Sequence, residues 1–239
     1  MKWNDVFCHS FKALANQLGL PRERKPVIDA CRADDFGFFR PALDRGLLTT
    51  RQMQHACQRY RLGKSKSGRP IFWMIDELGR LQDGHLGDDW VSRLLMIREP
   101  ALRRYWRVEF CLFGLHLLAE PTSAESGSGC LRPVAIVRRE ASAVILSELF
   151  PEQLWLATAA TTCFTFDLLA PLQGRTVVLY PETDETMESY LCWVEIADMA
   201  RRTYQLDITC STLLEDHATP EQKARGIDLL DFLLDGKTQ

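Results

Sequence analysis

The sequence lacks the segments that would place a protein in or across a membrane. It has no apolar run near 18 residues, about the length that a transmembrane helix needs, and no N-terminal signal peptide. Internal repeats are also missing, which excludes solenoid and propeller architectures. We therefore expect a cytoplasmic protein with no membrane partner.

Zinc-binding spacings are missing as well, although the chain contains eight cysteines. No two cysteines form a Cys-x-x-Cys pair, and the five histidines complete no zinc spacing. Most of the cysteines lie in apolar contexts, so we expect reduced, buried thiols rather than a zinc module.

The charge is divided unevenly along the chain, although the net charge is only −3. Residues 1–110 contain 20 Lys and Arg against 13 Asp and Glu, a balance of +7, whereas residues 111–239 contain 9 against 19, a balance of −10. A basic half predicts either a polyanionic partner or attraction between the two halves. Because the acidic half would repel nucleic acid, binding would be confined to one face.

A basic segment precedes the first predicted strand, Ile71–Asp76. Its cations, grouped around two glycines, are Arg59, Arg61, Lys64, Lys66 and Arg69. Such residues would hold phosphates and give a salt-dependent affinity that is independent of sequence. Phe72 and Trp73 point to opposite faces of the strand, so at most one of them could stack on a base while the other is core.

Short apolar runs alternate with helical segments in the second half of the chain. The runs are 134–137, 154–158 and 176–180, and a helix of small residues is predicted from about Ala141 to Leu149. This alternation predicts an α/β fold with a parallel sheet, whose carboxyl-end loops hold the chemistry. The segment 119–132 is rich in Pro, Ser, Thr and Gly. It predicts a boundary between a smaller basic α+β portion, residues 1–120, and an α/β core, residues 131–239.

The acidic half should also contain a long helix over 185–205, with Met187, Leu191, Val194 and either Ala197 or Met199 facing inward. A buried strand over 206–210 and a helix that begins at Thr219 and Pro220 complete the pattern. The leucine-rich C-terminal end, residues 229–234, fits either the core or an interface with another protein.

The order of these elements resembles the Toprim domain, which is shared by DnaG-type primases, topoisomerases and some nucleases. The similarity is greater to primase-like Toprim proteins of unknown function that are carried on bacterial mobile elements. It extends from about residue 50 to the C-terminus. Besides the three apolar runs, the segments that carry it are 71–76 (Ile-Phe-Trp-Met-Ile-Asp), 111–118, 214–219 (Leu-Glu-Asp-His-Ala-Thr) and 226–231 (Gly-Ile-Asp-Leu-Leu-Asp). The resemblance implies a Toprim-like, Rossmann-like core.

The chain departs from the family pattern at the acidic positions. The first acidic residue of the family falls on Arg138, and the first Asp of its Asp-x-Asp pair becomes Glu182, with Asp184 kept. Its Gly-Gly turn falls on Ala159-Ala160, the Glu of a Phe-Gly-Glu-His run falls on Leu115, and a lysine falls near His85. Magnesium-dependent phosphoryl transfer needs hard oxygen ligands, whereas arginine carries a permanent positive charge. We therefore expect the chemistry to be lost, with no cofactor bound.

Several interpretations of this vestigial site remain open. Arg138 and Arg139 could form a salt bridge to Glu182 or Asp184, or bind a phosphate in place of a metal. Glu182 and Asp184 could still hold Mg²⁺, and Glu140 could join them in an active nuclease or primase with rearranged carboxylates. His85 is expected at the surface and His116 hydrogen-bonded next to the core.

The favoured function from sequence is a catalytically degenerate primase-like protein that binds single-stranded nucleic acid or a replication partner such as a primase. The basic segment would contact phosphates, and Arg138 and Arg139 would extend that surface across the old site. The alternatives are the active magnesium-dependent enzyme and a pseudoenzyme regulator that binds only protein.

Overall fold

The computed structural model describes residues 36–65, 67–98, 110–120, 131–159 and 164–236. These residues form two compact units. The N-terminal unit comprises the described residues up to Leu43 together with Leu48–Ala119, and the C-terminal unit comprises Asp44–Leu47 together with those from Glu120 onward. No helix in these ranges is long and apolar enough to cross a membrane.

The N-terminal unit is built on an antiparallel sheet of four strands in the order β1-β2-β3-β4. The strands are β1 (Gly63–Lys64), β2 (Pro70–Ile75), β3 (Leu81–Leu86) and β4 (Asp89–Trp90), and the helices of this part are α1 (Arg40–Asp44), α2 (Thr50–Arg59) and α3 (Val91–Arg98). Short 3-10 helices span Gly37–Phe39 and Leu115–Ala119. The predicted strand Ile71–Asp76 is thus confirmed as β2, and α2 begins at a capping box formed by Thr49 and Gln52.

Aromatic packing explains why β2 is buried on both faces. On one face the Phe72 ring lies 5.7 Å from the Phe38 ring and 5.5 Å from the Phe113 ring, measured between ring centroids. On the other face Trp73 lies directly opposite Gly84 of β3 and also contacts Gly63 of β1. The two glycines leave room for the indole ring, since a Cβ at either position would lie 2.6 Å from an atom of that ring.

The C-terminal unit contains a parallel sheet of four strands in the order β6-β5-β7-β8. The strands are β5 (Val134–Val137), β6 (Leu154–Ala157), β7 (Thr176–Leu179) and β8 (Asp207–Cys210). The helices are α4 (Glu140–Leu149), α5 (Glu188–Tyr204), α6 (Leu213–His217), α7 (Pro220–Arg225) and α8 (Leu229–Asp235), with a 3-10 helix at Phe166–Leu172. The predicted α/β class and parallel sheet are confirmed.

The strand order, with the right-handed crossovers that parallel sheets adopt, implies helices on both faces of this sheet. The chain leaves β5 through α4 toward β6 and leaves β7 through α5 toward β8, so the two connections run in opposite directions and cover opposite faces. In agreement, α4 packs on β5, β6 and α8, whereas α5 packs on β8 and on the 3-10 helix. The carboxyl ends of β5 and β7 therefore lie at the topological switch point, where the winding of the chain reverses between two neighbouring strands. Doubly wound sheets bind their ligands at this point.

The inward face of the long helix is predicted only in part, because Ala197 is buried as expected but Leu191 is not. In α5 the buried residues are Trp193, Ala197 and Ala200, whereas Leu191 and Met199 are 54% and 47% exposed. The helix begins at Glu188, later than predicted, because Met187 adopts a left-handed conformation with φ 60°. The buried alanines Ala197 and Ala200, one turn apart, allow the helix to approach its neighbours closely, and the prediction named only the first of them.

Candidate functional site

The candidate site lies at the carboxyl ends of β5 and β7. Arg138 and Arg139 follow β5, and the loop 180–184 follows the neighbouring strand β7. The backbone fixes this edge, because Tyr180 donates from its N–H to the Ile136 carbonyl at 2.8 Å and Ala159 donates to the Arg138 carbonyl at 3.0 Å. The vestigial residues predicted from the sequence are thus placed on adjacent strands, at the winding reversal of the sheet.

Glu182 is the carboxylate at the centre of the site. Its side chain is 7% exposed and pairs with both arginines. Arg138 Nη1 donates to Glu182 Oε2 in a short hydrogen bond, and Arg139 Nε lies 3.0 Å from Glu182 Oε1. Of the alternatives left open by the sequence, the salt bridge to Glu182 is therefore confirmed. Each oxygen of this carboxylate faces a guanidinium.

Arg139 also pairs with carboxylates from the C-terminal end of the chain. Its Nη1 lies 2.8 Å from Asp231 Oδ2 and 3.8 Å from Asp228 Oδ2. Burial lowers the pKa of Arg139, but Asp228, Glu182 and Asp231 outweigh that effect and raise it. The cation is held by three carboxylates, which leaves little positive potential for a phosphate.

Asp228 anchors the C-terminal helix to the core beneath the site. It is fully buried, and its Oδ2 accepts a hydrogen bond from Ser142 Oγ of α4 at 2.5 Å. Its Oδ1 accepts from the Asp231 backbone N–H at 2.9 Å and so caps α8. Burial raises the pKa of Asp228. The sequence pattern indicates no role in the site for Asp228 and Asp231, although they belong to the segment 226–231 that carries part of the Toprim resemblance.

Asp184 is not directed at the arginines but caps α5. Its Oδ1 accepts hydrogen bonds from the Thr186 N–H and hydroxyl at 2.8 and 2.7 Å and from the Glu188 N–H at 3.1 Å. Its Oδ2 accepts from the Ser189 N–H at 2.8 Å. Burial raises the pKa of Asp184, but these hydrogen bonds outweigh it and leave the pKa well below its usual range.

The donors present do not fit a magnesium ion. The oxygens of Glu182 face arginines, those of Asp184 face the first turn of a helix, and Glu140 is buried in the first turn of α4. In the part of the chain that the structure describes, no group of three or more His, Cys, Asp or Glu side chains is arranged to hold a metal ion. The predicted metal pair, Glu182 and Asp184, and the rearranged trio with Glu140 are thus not assembled.

The cap provided by Asp184 yields a prediction for stability. Replacing Asp184 with alanine should lower the free energy of unfolding by about 1–2 kcal/mol at pH 7, the usual contribution of such a cap. A carboxyl whose folded pKa is depressed stabilises the protein above its unfolded pKa and loses this contribution as the pH falls toward the folded value. The difference between wild type and variant, measured by urea unfolding, should therefore shrink below about pH 4.

Thr209→Ala is a suitable control for that measurement, since it removes another exposed polar side chain of the same unit without touching a helix cap. If the free energies of unfolding of Asp184→Ala and wild type differed by the same amount from pH 7 to pH 3, the role of the ionised carboxylate would be contradicted.

The basic segment forms a hairpin in the N-terminal unit. Lys64 is exposed on β1, with its ammonium 5.9 Å from the centre of the Phe36 ring. Arg61 and Arg69 are half-buried, and Arg69 Nε donates to Ser67 Oγ at 3.4 Å. Arg59 lies at the end of α2, where its carbonyl is 3.2 Å from His116 Nε2. Lys66 lies outside the described residues.

Neither aromatic residue of β2 can stack on a base. Phe72 and Trp73 are 8% and 3% exposed, so both belong to the core. The sequence pattern alone allows one of the two to stack on a base. His116 is buried and hydrogen-bonded as predicted. His85 is half-buried with its ring 5.0 Å from that of Trp90, so it is less exposed than expected.

The described cysteines are free thiols in different environments. Cys57 is buried, Cys111 and Cys210 are half-buried, and Cys192 is exposed, so the expectation of burial fails for Cys192. Burial raises the pKa of Cys210 to about 12 and, together with nearby carboxylates, that of Cys111 to about 12. These two thiols stay protonated at neutral pH and are poor nucleophiles. The other four cysteines lie outside the described residues.

A comparison with known protein families covers part of this site. No curated protein matches the chain. Residues 42–183 match a family described as a domain of unknown function, DUF6371. The match covers more than half of the chain and includes Arg138, Arg139 and Glu182, but it ends before Asp228 and Asp231. The chain therefore belongs to the DUF6371 family.

Proposed function

We propose that this protein is a catalytically degenerate, Toprim-like protein that binds single-stranded nucleic acid without cleaving or synthesising it. The observation that carries the degenerate character is the pairing of Glu182 with both Arg138 and Arg139 at the winding reversal of the parallel sheet. A carboxylate whose two oxygens face guanidinium groups has lost the free charge that a divalent cation would need.

Two features support the Toprim-like assignment. The strand order β6-β5-β7-β8 puts the strand that ends at Arg138 beside the strand that leads to Glu182, as the resemblance requires. Ala159, on which the Gly-Gly turn of the family falls, adopts φ 65°. This conformation favours glycine and is rare for a residue with a Cβ, so the backbone keeps the geometry of a glycine turn although the glycine is gone.

Charge supports a nucleic-acid partner and favours contact through the first half of the chain. Residues 1–110 carry a balance of +7, and Lys64 is exposed. By contrast, Arg138 and Arg139 face three carboxylates, so they are poor candidates for the extended phosphate surface expected from the sequence. Phosphate contacts should therefore come from the basic hairpin.

Charge reversal on this hairpin tests the proposal. Each phosphate contact to a single strand contributes a slope of about −0.7 to the dependence of log K on log salt concentration. Lys64→Glu should weaken binding of a 15-nucleotide single strand and flatten the slope by about 0.7, and the pair Lys64→Glu with Lys66→Glu by about 1.4. Fluorescence anisotropy at several salt concentrations measures both effects.

Arg202→Glu provides the matched control, because it changes the net charge equally at an exposed position on α5. The control should leave the slope unchanged. An equal effect of Arg202→Glu and Lys64→Glu would show a general charge effect, and an unchanged slope in both Lys64 variants would contradict the assignment of the hairpin.

A second candidate function, a regulator that binds another protein such as a primase, is favoured by one observation. Leu191 and Met199 are exposed on α5, and Met187 just before the helix is exposed as well. The leucine-rich end offers no such support, because Leu229, Leu230 and Leu234 are buried in the core. Co-purification of one defined partner, together with no affinity for oligonucleotides at low salt, would favour this candidate.

A further inference from the structure

We propose that three aromatic side chains at the β4 edge of the N-terminal sheet, His85, Trp90 and Phe110, form a surface on which the bases of a single strand stack. This inference rests on the proposed nucleic-acid binding and deepens it, since it names the groups that contact bases rather than phosphates. The three residues are called the aromatic row below.

The row is defined by cross-strand geometry. His85 of β3 and Trp90 of β4 lie directly opposite each other, and their ring centroids are 5.0 Å apart. Phe110 extends the row, with its ring 5.5 Å from that of Trp90 in an edge-to-face arrangement. Exposure increases along the row, from the half-buried His85 and Trp90 to Phe110, which is 50% exposed.

The inner end of the row is anchored in the core. His85 pairs with Phe72 of β2, so Phe72, His85 and Trp90 stand on the same face of three neighbouring strands. Phe72 in turn packs edge-on against Phe113, which is fully buried. Rings held in this way lose little conformational entropy when a ligand binds, which favours tight binding by a small number of contacts.

A basic side chain lies where it would hold the backbone of a strand stacked on the row. Lys64 pairs with Pro70, which shares a face of β2 with Phe72, so the ammonium is on the same face as the row. Lys64 and Trp90 stand on the two outer strands, about 16 Å apart, because three strand spacings and two residues along the strand separate them.

The nearest acidic residue on β4 does not oppose this arrangement. Asp89 precedes Trp90, so alternation turns its side chain to the other face, where it pairs with Arg93 at 3.3 Å. Exposed aromatic rings beside cations are the combination that binds single strands: every base has a flat face that can stack, and the cations hold the phosphates. An apolar protein partner would make no use of Lys64.

The test compares two ligands that differ only in their bases. One is a fluorescent 15-nucleotide thymidine strand, and the other is an abasic deoxyribose-phosphate strand of equal length. Phe110→Ala should weaken binding of the thymidine strand on the order of tenfold, because stacking contributes that much per base. Binding of the abasic strand and the salt dependence of both ligands should not change, since no phosphate contact is lost.

Two further variants separate stacking from a general effect of the substitution. Leu78→Ala removes another exposed apolar side chain of the same unit, 69% exposed, and should leave both affinities unchanged. Phe110→Trp keeps an aromatic ring and should retain the affinity for the thymidine strand. Unchanged thermal unfolding of Phe110→Ala would show that the fold is intact.

Each result has one meaning. A loss by Phe110→Ala that is specific to the thymidine strand supports the row. An equal loss of affinity for both strands in Phe110→Ala overturns the row, and so does a loss of affinity in Leu78→Ala. An unchanged affinity of Phe110→Ala for the thymidine strand, when the wild type binds with a steep salt dependence, also overturns it. In that last case nucleic-acid binding itself stands. Failure of the wild type to bind either strand overturns both the row and the proposed function.

Discussion

Replacing Glu182 with glutamine is expected to lower the free energy of unfolding by about 2–3 kcal/mol. The carboxylate is buried and pairs with Arg138 and Arg139, so its loss leaves two guanidinium groups facing a neutral amide. Removing one member of a fully buried pair costs about 3–5 kcal/mol. We expect a smaller cost for Glu182→Gln because the arginine side chains are 39% and 46% exposed, so that water screens part of their charge.

The matched variant is Arg138→Gln, which leaves Glu182 paired with Arg139 and should cost less than Glu182→Gln. Urea unfolding with and without Mg²⁺ measures both. Because the oxygens of Glu182 face cations, Mg²⁺ should not stabilise the wild type. A metal bound by the folded state and present at 100 times its dissociation constant would add about 2.7 kcal/mol, so a stabilisation that disappears in Glu182→Gln would contradict the account.

Replacing Gly84 with alanine is expected to destabilise the N-terminal unit by about 1–3 kcal/mol, the usual cost of an extra methyl group in a filled core. A Cβ there would lie 2.6 Å from Trp73 Cε3 and 3.0 Å from Val91 Cγ2. The indole ring cannot move aside easily, because Gly63 contacts it as well. Gly63→Ala, with a Cβ 2.6 Å from Trp73 Nε1, should have an effect of similar size.

Gly37→Ala is the control for these two variants. Gly37 has no heavy atom within 4 Å of the position that a Cβ would take, so the substitution should be neutral or slightly stabilising. Thermal unfolding followed by tryptophan fluorescence would rank the three. Wild-type stability in Gly84→Ala would contradict the tight packing of Trp73.

The sequence predicts most of the secondary structure in the described parts of the chain, because local signals determine it. Thr49 and Thr219 both form capping boxes three residues before a glutamine, which places the start of each helix. The predicted apolar runs become β5, β6 and β7, which contain four residues each, a length typical of parallel strands. The face of α5 is predicted only in part, because Ala197 is named but Trp193 and Ala200, which are buried with it, are not.

The site is predicted only in part, because its members are distant along the chain. The pairing of Arg138 with Glu182 follows from the adjacent carboxyl ends of parallel strands, which the sequence pattern indicates. The contribution of Asp228 and Asp231 depends on how α8 packs on α4, and no local pattern reports that packing. The capping role of Asp184 was hidden because an acidic residue beside Glu182 is equally typical of a metal site.

The aromatic row of the N-terminal unit is not predicted from the sequence either, because its residues are also distant along the chain. Phe72 and Trp73 attract attention because they are adjacent in the sequence, yet Gly63 and Gly84 and the neighbouring phenylalanines bury both rings. His85, Trp90 and Phe110 are separated in sequence and come together only through the register of β3 with β4 and the approach of Phe110.

Binding of a fluorescent single-stranded DNA at 50 and 200 mM salt, with and without Mg²⁺, tests the central claim most directly. With about four phosphate contacts, the affinity should fall about 50-fold between the two salt concentrations, and Mg²⁺ should add nothing beyond its own screening. No binding at either salt concentration would contradict nucleic-acid binding and favour a protein partner. Binding that requires Mg²⁺ would contradict the degenerate site and restore the metal-dependent enzyme.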